Sequence, residues 1–499
     1  MTSFWQPGSL GRKAVSIPFL LAAVVFAAAP LAAAELLAGA ATVSITPDKP
    51  VALWGQMHTR VSAGVESPVT ATALALRSQT ADAANGNTVL GDSVMVACDV
   101  VAIPDLVLEK SRAEVKLLLP DFPVERIFLS ATHTHTAPVL LDGVYDIPVE
   151  GVMQPLEYVD FFAKRVAEAV VQACATRRPC SVGWGLGHAV VAHNRRSVYA
   201  DNTAVMYGAT DPDTFRMIEG YEDHGVESLF FWDESGKLFA TAINVACPAQ
   251  EVEGMGLVNA DFWHQVRGQI NDQHADQVHV LAWTGAAGDQ SPHLMFRKAA
   301  EERMRRLRGI SRLDEIARRI VAGWQEALAG AEKEKFTDVP LEHRVEQITL
   351  PRRSVTEREY ELAREKIREL STDKGNQTLL WWHGGVVARY ERQLSGDEIP
   401  FVTEVHCIRL GDVAIATNPF ELYTDFGIAI KARSPALQTF VVQLAGPGTY
   451  LPSARAARGG GYSAIAESNE VGPEAGQVLV DHTVGRIVEL WSGALPPAR

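Results

Sequence analysis

The chain has 499 residues, of which 47% are hydrophobic, and carries a formal net charge of −14 at pH 7. This composition excludes a disordered chain, and the acidic balance argues against nucleic acid and anionic membrane surfaces as partners. The length suffices for one large or two medium domains.

The N-terminus has the pattern of an export signal. Arg12 and Lys13 precede an apolar run that ends in the small residues "LAAAE". This order predicts a signal peptide over residues 1–34, cleaved after Ala34. A membrane anchor is the alternative, but the run is short for a span, and no later segment reaches about 18 uninterrupted apolar residues. We therefore expect a periplasmic or secreted protein with no transmembrane span in its mature part.

Short apolar strands recur along the chain, each followed at once by polar or glycine-rich residues. They are "SVMVACD" (93–99), "RIFLSATHTH" (126–135), "FATAINVACPAQ" (239–250), "VHVLAWTGAAGDQS" (278–291), "VAIATNPFE" (413–421) and "TFVVQLAGPGTY" (439–450). Near-continuous apolar strands are typically buried on both faces, as in α/β folds.

Helices are clearest in the second half of the chain. Apolar residues repeat every three or four positions from Leu313 to Leu328, and Thr356 with Glu359 forms a capping box that opens another helix. Strands and helices together predict an α/β fold in which mixed β-sheets are flanked by helices. In such folds ligands usually bind at the strand ends, where the polar residues collect here.

The cysteines do not indicate a disulfide scaffold. There are five, an odd number, without C-x-x-C spacing. Only Cys174 and Cys180, in "CATRRPC", are placed for a local bridge, which an oxidising compartment would permit. Buried free thiols are the alternative.

The stretch "IFLSATHTHTAPVL" (127–140) places two histidines just after an apolar run. Residues i and i+2 of a strand point to the same face, so we expect His133 and His135 to project together. Such a pair suits a metal site. Two ordinary polar side chains are the alternative interpretation.

Other strand-end segments offer further candidates, namely Asp289, Ser291, Glu421, Tyr450 and the run "NRR" at 194–196. Imidazole, carboxylate and phenolate are all possible zinc donors, and a zinc site with an open position activates water. Ser291 lacks the G-x-S-x-G context of a nucleophile elbow, so a serine hydrolase is only weakly indicated.

Taken in order, these segments resemble one family. "AGAATVSITP", "SATHTHTAP", "NRR", "GAAGDQSP", "NPFE" and "GTYLPS" followed by "GGGY", from Ala38 to Tyr462, are similar to motifs of the neutral/alkaline non-lysosomal ceramidases. The chain looks like a divergent member with that family's catalytic domain over residues 35–499. The resemblance implies attack of zinc-bound water on an amide carbonyl, with a histidine passing a proton to the leaving amine.

The resemblance assigns zinc ligation to His133, Glu421 and Tyr450. The family has another zinc histidine in an A-x-H context after a strand, whereas "NVACPAQ" has Pro248 at that place. Proline cannot ligate, so zinc would be re-liganded, weakly bound or missing. Three downstream side chains are possible substitutes: Gln250, Glu251 and Glu253.

The remaining family roles are catalytic. His135 would be the acid/base histidine, and Ser291 would lie close to the scissile amide. Arg195 would hold the substrate side of the site, and Tyr462 would help to stabilise the oxyanion. The short segment after Tyr462 leaves no room for the family's C-terminal immunoglobulin-like domain, so we expect a single catalytic domain.

The sequence thus predicts an exported, zinc-dependent hydrolase of carbon–nitrogen bonds, acting on an amide or ester in an N-acyl lipid or related small molecule. A second hypothesis keeps the pocket without zinc. There His135, Tyr450, Tyr462 and Arg195 would act by β-elimination or hydrolysis on an acidic glycan. The third is a non-catalytic binding protein. The oligomeric state is left open.

Overall fold

The computed structural model describes residues 34–80, 87–275, 277–372 and 375–492. The predicted signal peptide therefore lies outside the described residues, apart from Ala34, which begins the first strand. Within these ranges, no helix combines the length and apolar character needed to cross a bilayer.

The strands of the described ranges are β1 (Ala34–Ser44), β2 (Thr70–Thr80), β3 (Val89–Cys98), β4 (Ile127–Ala131), β5 (Arg178–His188), β6 (His193–Asn194), β7 (Arg196–Tyr199), β8 (Ala204–Met206), β9 (Phe215–Ile218), β10 (Gly225–Asp233), β11 (Leu238–Val245), β12 (His279–Thr284), β13 (Gln290–Ser291), β14 (Leu341–Leu350), β15 (Phe401–Leu410), β16 (Val413–Thr417), β17 (Glu421–Leu422), β18 (Gln438–Val442) and β19 (Tyr450–Leu451). The α-helices are α1 (Asp105–Leu118), α2 (Pro155–Ala175), α3 (Phe262–Asn271), α4 (Lys298–Arg308), α5 (Arg312–Ala331), α6 (Glu357–Leu370), α7 (Gln377–Ser395), α8 (Thr424–Arg433), α9 (Ala454–Gly459) and α10 (Pro473–Ser492). Short 3₁₀ turns cover Val124–Arg126, Tyr462–Ala464 and Ala466–Ser468.

Two mixed sheets dominate the topology. The larger has the strand order β12-β11-β10-β5-β1-β2-β3-β4, and the smaller has the order β14-β15-β16-β18. Strands pair in parallel at β11/β12, β3/β4 and β16/β18, and antiparallel elsewhere in these two sheets. The predicted fold class, mixed sheets flanked by helices, is confirmed.

The two sheets pack face to face between layers of helices. One apolar cluster joins the inner faces, with Phe128, Leu281 and Trp283 on the larger sheet meeting Ile415 and Phe440 on the smaller. The outer face of the larger sheet is covered by α1, α2, α3 and α5. The outer face of the smaller sheet is covered by α8 and α10. Burial on both faces explains why the strand sequences are almost continuously apolar.

The predicted helices begin where their caps predict. Thr356 accepts a hydrogen bond from the backbone of Glu359, whose side chain accepts one from the backbone of Thr356. The repeat from Leu313 to Leu328 falls within α5, which a second capping box at Ser311 opens.

His133 and His135 project together, with ring centroids 4.8 Å apart, but the prediction that they do so from one strand face is wrong. Strand β4 ends at Ala131, and His133 adopts a left-handed backbone with φ 67°. Instead of ladder bonds, the backbone N–H of Thr132 donates to Cys98 and that of His133 donates to Val100. The chain therefore leaves the sheet before the histidines, and the turn rather than strand alternation sets their direction.

The local disulfide does not form. Cys174 and Cys180 are both free thiols. The thiol of Cys180 donates a weak hydrogen bond to the carbonyl of Leu36 at 3.6 Å. Burial raises the pKa of Cys180 to about 12, so it remains an inert thiol. The alternative of free thiols is confirmed for this pair.

Candidate functional site

The loops that follow the strands enclose a cavity of about 210 Å³. Its walls include five residues singled out from the sequence: His133, His135, Glu421, Tyr450 and Tyr462. The loop after β4 supplies the histidines, and β17, β19 and the 3₁₀ turn after α9 supply the others. Residues up to 329 positions apart therefore meet in one crevice.

A larger cavity of about 440 Å³ lies beside α4 and α5. Its lining mixes acidic and basic side chains, and Glu251 in its wall pairs with Arg312 at 3.4 Å. Apart from Glu251, a possible substitute ligand, the sequence-predicted catalytic and metal-binding residues lie elsewhere. We therefore take the smaller cavity as the candidate active site.

Glu421 and Tyr450 are adjacent because β17 and β19 form a short parallel ladder in which these two residues are partners. The two side chains interact electrostatically: burial, together with the Glu421 carboxylate, raises the pKa of Tyr450. The backbone of Gly288 holds this ladder in place, since its N–H donates to the carbonyl of Leu422. A Cβ at Gly288 would lie 2.2 Å from the Glu421 carbonyl oxygen, so only glycine fits.

His133 is oriented by the backbone. Its Nδ1 lies 2.7 Å from the carbonyl oxygen of Val101, and because that oxygen only accepts, Nδ1 carries the proton. Nε2 then faces Glu421 Oε2 at 3.2 Å. Two unprotonated acceptors at this distance would repel, so the pair needs a positive group between them, either a proton or a metal ion.

His135 lies between three polar side chains. Its Nε2 is 2.8 Å from the amide nitrogen of Gln250 and 3.3 Å from Nε2 of His133, and its Nδ1 is 3.4 Å from Glu253 Oε2. Burial lowers the pKa of His135, so the ring is neutral at pH 7. A neutral imidazole can accept a proton, which a general base requires.

Arg60 joins the backbone segments around His135 through hydrogen bonds. Its guanidinium donates to the carbonyl oxygens of Trp54 and His135 on one side, and of Glu253 and Met255 on the other. Sequence reasoning missed this residue, because its partners are backbone groups up to 195 positions away.

Arg195 lies behind the cavity wall with 2% of its surface exposed. Its guanidinium donates to Tyr207, Gln250, Gly288 and Tyr450 at 3.0 to 3.3 Å. Burial alone would lower the pKa of Arg195, but Tyr450, Tyr207 and Glu421 together raise it. A fixed positive charge therefore supports the site from behind.

Ser291 is fully buried in β13. Its side chain does not line the cavity, and neither does that of Arg195. Its hydroxyl accepts a hydrogen bond from Tyr207 at 2.9 Å. Tyr207 in turn accepts one from Arg195 and has a left-handed backbone with φ 53°. Ser291 thus reaches the site through two other side chains, and its expected position beside the scissile bond stays a prediction.

Aromatic side chains form the rest of the wall, and sequence reasoning missed most of them. Trp54, Tyr145, Trp381 and Trp382 line the cavity, with Trp381 54% exposed at its edge. The ring of Tyr462 lies 5.7 Å from that of Trp382 and 5.8 Å from that of Tyr450. The cavity is therefore mainly apolar, with its polar groups gathered at one end.

The side chains present do not fit a zinc site of three or four protein donors. Tyr450 accepts a hydrogen bond from Arg195, and burial with the charge of Glu421 raises its pKa, so it keeps its proton. His135 Nε2 already accepts a hydrogen bond from the amide of Gln250. In the described part of the chain, no group of three or more His, Cys, Asp or Glu side chains is arranged to hold a metal ion. His133 and Glu421 are left as two donors.

Pro248 lies in a buried turn whose carbonyl accepts from the N–H of Gln250. Of the three possible substitutes, Gln250 and Glu253 contact His135, whereas Glu251 faces the larger cavity. The amide of Gln250 thus lies beside the histidines, where a further metal donor would be needed.

Two solved structures have a similar fold. One is described as "Crystal Structure Analysis of neutral ceramidase from Pseudomonas aeruginosa", with a TM-score of 0.66 and 18% identity over 93% of this chain and 76% of that one. The other is described as "Ceramidase complexed with C2", with a TM-score of 0.65 and 18% identity over 93% and 77% of the two chains. No family model matches, and no curated protein sequence matches. At this identity the likeness shows a shared ceramidase-like fold.

Gly55 allows the His135 ring to approach the backbone. Its φ is 103°, and a Cβ there would lie 2.3 Å from Cγ of His135. We expect Gly55→Ala to displace the imidazole and to lower turnover far more than thermal stability. Gly143→Ala is the control, because it also has positive φ but an added Cβ meets nothing within 4 Å. Equal loss of turnover in both variants would contradict this.

Zinc binding can be measured by calorimetric titration of metal-stripped protein. Of the three side chains that the resemblance assigns as zinc ligands, only His133 and Glu421 keep a free donor atom, so we expect weak binding by the wild type and tighter binding by Gln250→His, which adds an imidazole beside them. Gln273→His, at an exposed position, is the control. Tight one-to-one binding by the wild type, with no gain in Gln250→His, would contradict this expectation.

Proposed function

We propose that this chain is an exported hydrolase that cleaves an amide bond, or a related ester, in an N-acylated small molecule. The observation that carries the proposal is the convergence of His135 with Tyr450 and Tyr462 at the polar end of an aromatic cavity. The ceramidase-like fold supports the same reaction class, and the N-terminal sequence pattern supports export.

The cavity suits an acyl group. Trp54, Tyr145 and Trp382 offer apolar faces, while the imidazoles and phenols lie at one end, where the carbonyl would sit. Drug-sized ligand pockets have volumes of roughly 300–1,000 Å³, so a cavity of about 210 Å³ holds only a small group. We propose that it takes the acyl carbonyl and a short or planar apolar part of the substrate.

Hydrolysis needs a base, an acid and a donor for the oxyanion. His135 would take a proton from water as the water oxygen attacks the carbonyl carbon, and would pass that proton to the leaving nitrogen as the C–N bond breaks. Tyr462 would donate to the carbonyl oxygen as negative charge develops. Burial raises the pKa of Tyr462, so this hydroxyl keeps its proton at neutral pH.

Zinc has no step in this proposal. The resemblance predicts zinc, but only two side chains, His133 and Glu421, are left as donors. A catalytic zinc site uses three protein ligands. His133 and Glu421 would instead shape the polar end of the cavity.

An acidic-glycan lyase is a second candidate, favoured by the tryptophan wall, which suits stacking on sugar rings. Its weak point is Arg195, which would neutralise the substrate carboxylate but does not reach the cavity surface. Incubation with uronate-containing oligosaccharides separates the two functions, because β-elimination creates an unsaturated, ultraviolet-absorbing product and hydrolysis of an amide does not. A non-catalytic binding protein would act on neither substrate.

The main prediction uses a panel of N-acyl amines and N-acyl amino acids with short, aromatic and long acyl groups, followed by amine release. We expect hydrolysis to favour the short and aromatic groups. His135→Ala should lower kcat by roughly 10²- to 10⁴-fold, since it removes the acid/base group. Tyr462→Phe should lower kcat by roughly 10²- to 10³-fold, since it removes an oxyanion donor.

Matched controls are available on the surface. His188→Ala, at the exposed end of β5, and Tyr221→Phe, at a tyrosine that is 61% exposed, should leave kcat unchanged. Full activity in His135→Ala would rule out the assigned role of His135.

A further inference from the structure

The amide of Gln250 has a single allowed orientation. The side chain is fully buried, with its two polar atoms facing different partners. Oε1 accepts from Nη1 of Arg195 at 3.2 Å, and a guanidinium has only donors, so an oxygen must face it. The amide nitrogen therefore faces Nε2 of His135 at 2.8 Å and must donate to it.

This orientation fixes the tautomer of His135. An Nε2 that accepts a hydrogen bond carries no proton, so the proton of the neutral ring lies on Nδ1. Nδ1 faces the carboxylate of Glu253 at 3.4 Å. Glu253 is held in place because Arg60 binds both its carbonyl oxygen and that of His135.

We propose that Gln250 and Glu253 are positioning residues, which together hold the proton of His135 on Nδ1 and keep Nε2 unprotonated, with its lone pair facing the amide of Gln250. The carboxylate lies 3.4 Å from Nδ1 and favours a proton there, and the amide donates to Nε2. A water molecule that takes the place of the amide meets a lone pair and can give up its proton. The same contact explains why His135 is not available as a metal donor.

The orientation of the ring is independent of the substrate, and only its effect on rate rests on the proposed function. A carboxylate that holds a catalytic imidazole in one tautomer is a recurrent device of hydrolases. Here the second partner, an amide fixed by a buried arginine, completes the arrangement. Neither residue was assigned this role from the sequence.

The test is nitrogen NMR of protein labelled with ¹⁵N at its histidines, with the His135 signals assigned by their loss in His135→Gln. In the wild type we expect a protonated Nδ1 and an unprotonated Nε2. In Gln250→Glu, a carboxylate held by Arg195 can only accept, so Nε2 of His135 should become protonated. Glu251→Gln, at the neighbouring carboxylate that pairs with Arg312, should leave the spectrum unchanged.

Measurements of kcat and KM distinguish a positioning role of Glu253 from a purely structural one. Glu253→Gln keeps an oxygen that can accept from Nδ1, so it should retain more of kcat than Glu253→Leu, while KM changes little in both. A wild-type spectrum with the proton on Nε2 overturns the proposal, even if a variant fails to fold. Gln250→Glu with an unprotonated Nε2 also overturns it. The expected spectra without any amidase activity would support the positioning and remove the proposed function.

Discussion

The buried guanidinium of Arg195 is the interaction on which the candidate site depends. It has only donors, so each neighbour must present an oxygen to it. This requirement orients Gln250, Tyr450 and Tyr207, and through Gln250 it reaches His135. A buried charge that loses its partners is strongly destabilising, so these contacts are expected to stay together. The orientation of these side chains therefore depends on one residue, Arg195, which lies behind the cavity wall.

The fold places that residue where four segments meet. Two mixed sheets packed between helices end their strands on the same crevice, and the loops beyond the strand ends carry the polar groups. The short ladder of β17 and β19 aligns Glu421 with Tyr450, and the backbone of Gly288 lies against it. Arg60 likewise joins backbone segments around His135. Each arginine thus joins segments that are far apart in sequence.

Sequence reasoning could identify the strands, the capped helices and the histidine pair, because these depend on local patterns. It could not give the direction of His133, which is set by a left-handed turn after β4. The role of Gln250 depends on Arg195, 55 positions away, and that contact leaves no trace in local sequence. The place of the α7 tryptophans in the cavity wall could not be predicted either, because a helical pattern does not show which cavity the helix borders. The resemblance predicted a missing zinc histidine at Pro248, and in the structure the amide of Gln250, two positions further on, lies against His135.

Arg195 fixes the amide of Gln250 and thereby the position of the proton on His135. Neutron diffraction from deuterium-exchanged crystals of the wild-type protein locates these hydrogens directly. We expect deuterium on Nδ1 of His135, on the Glu253 side, and an ND₂ group of Gln250 directed at Nε2. Deuterium on Nε2 of His135, with the Gln250 oxygen facing it, would contradict the claim.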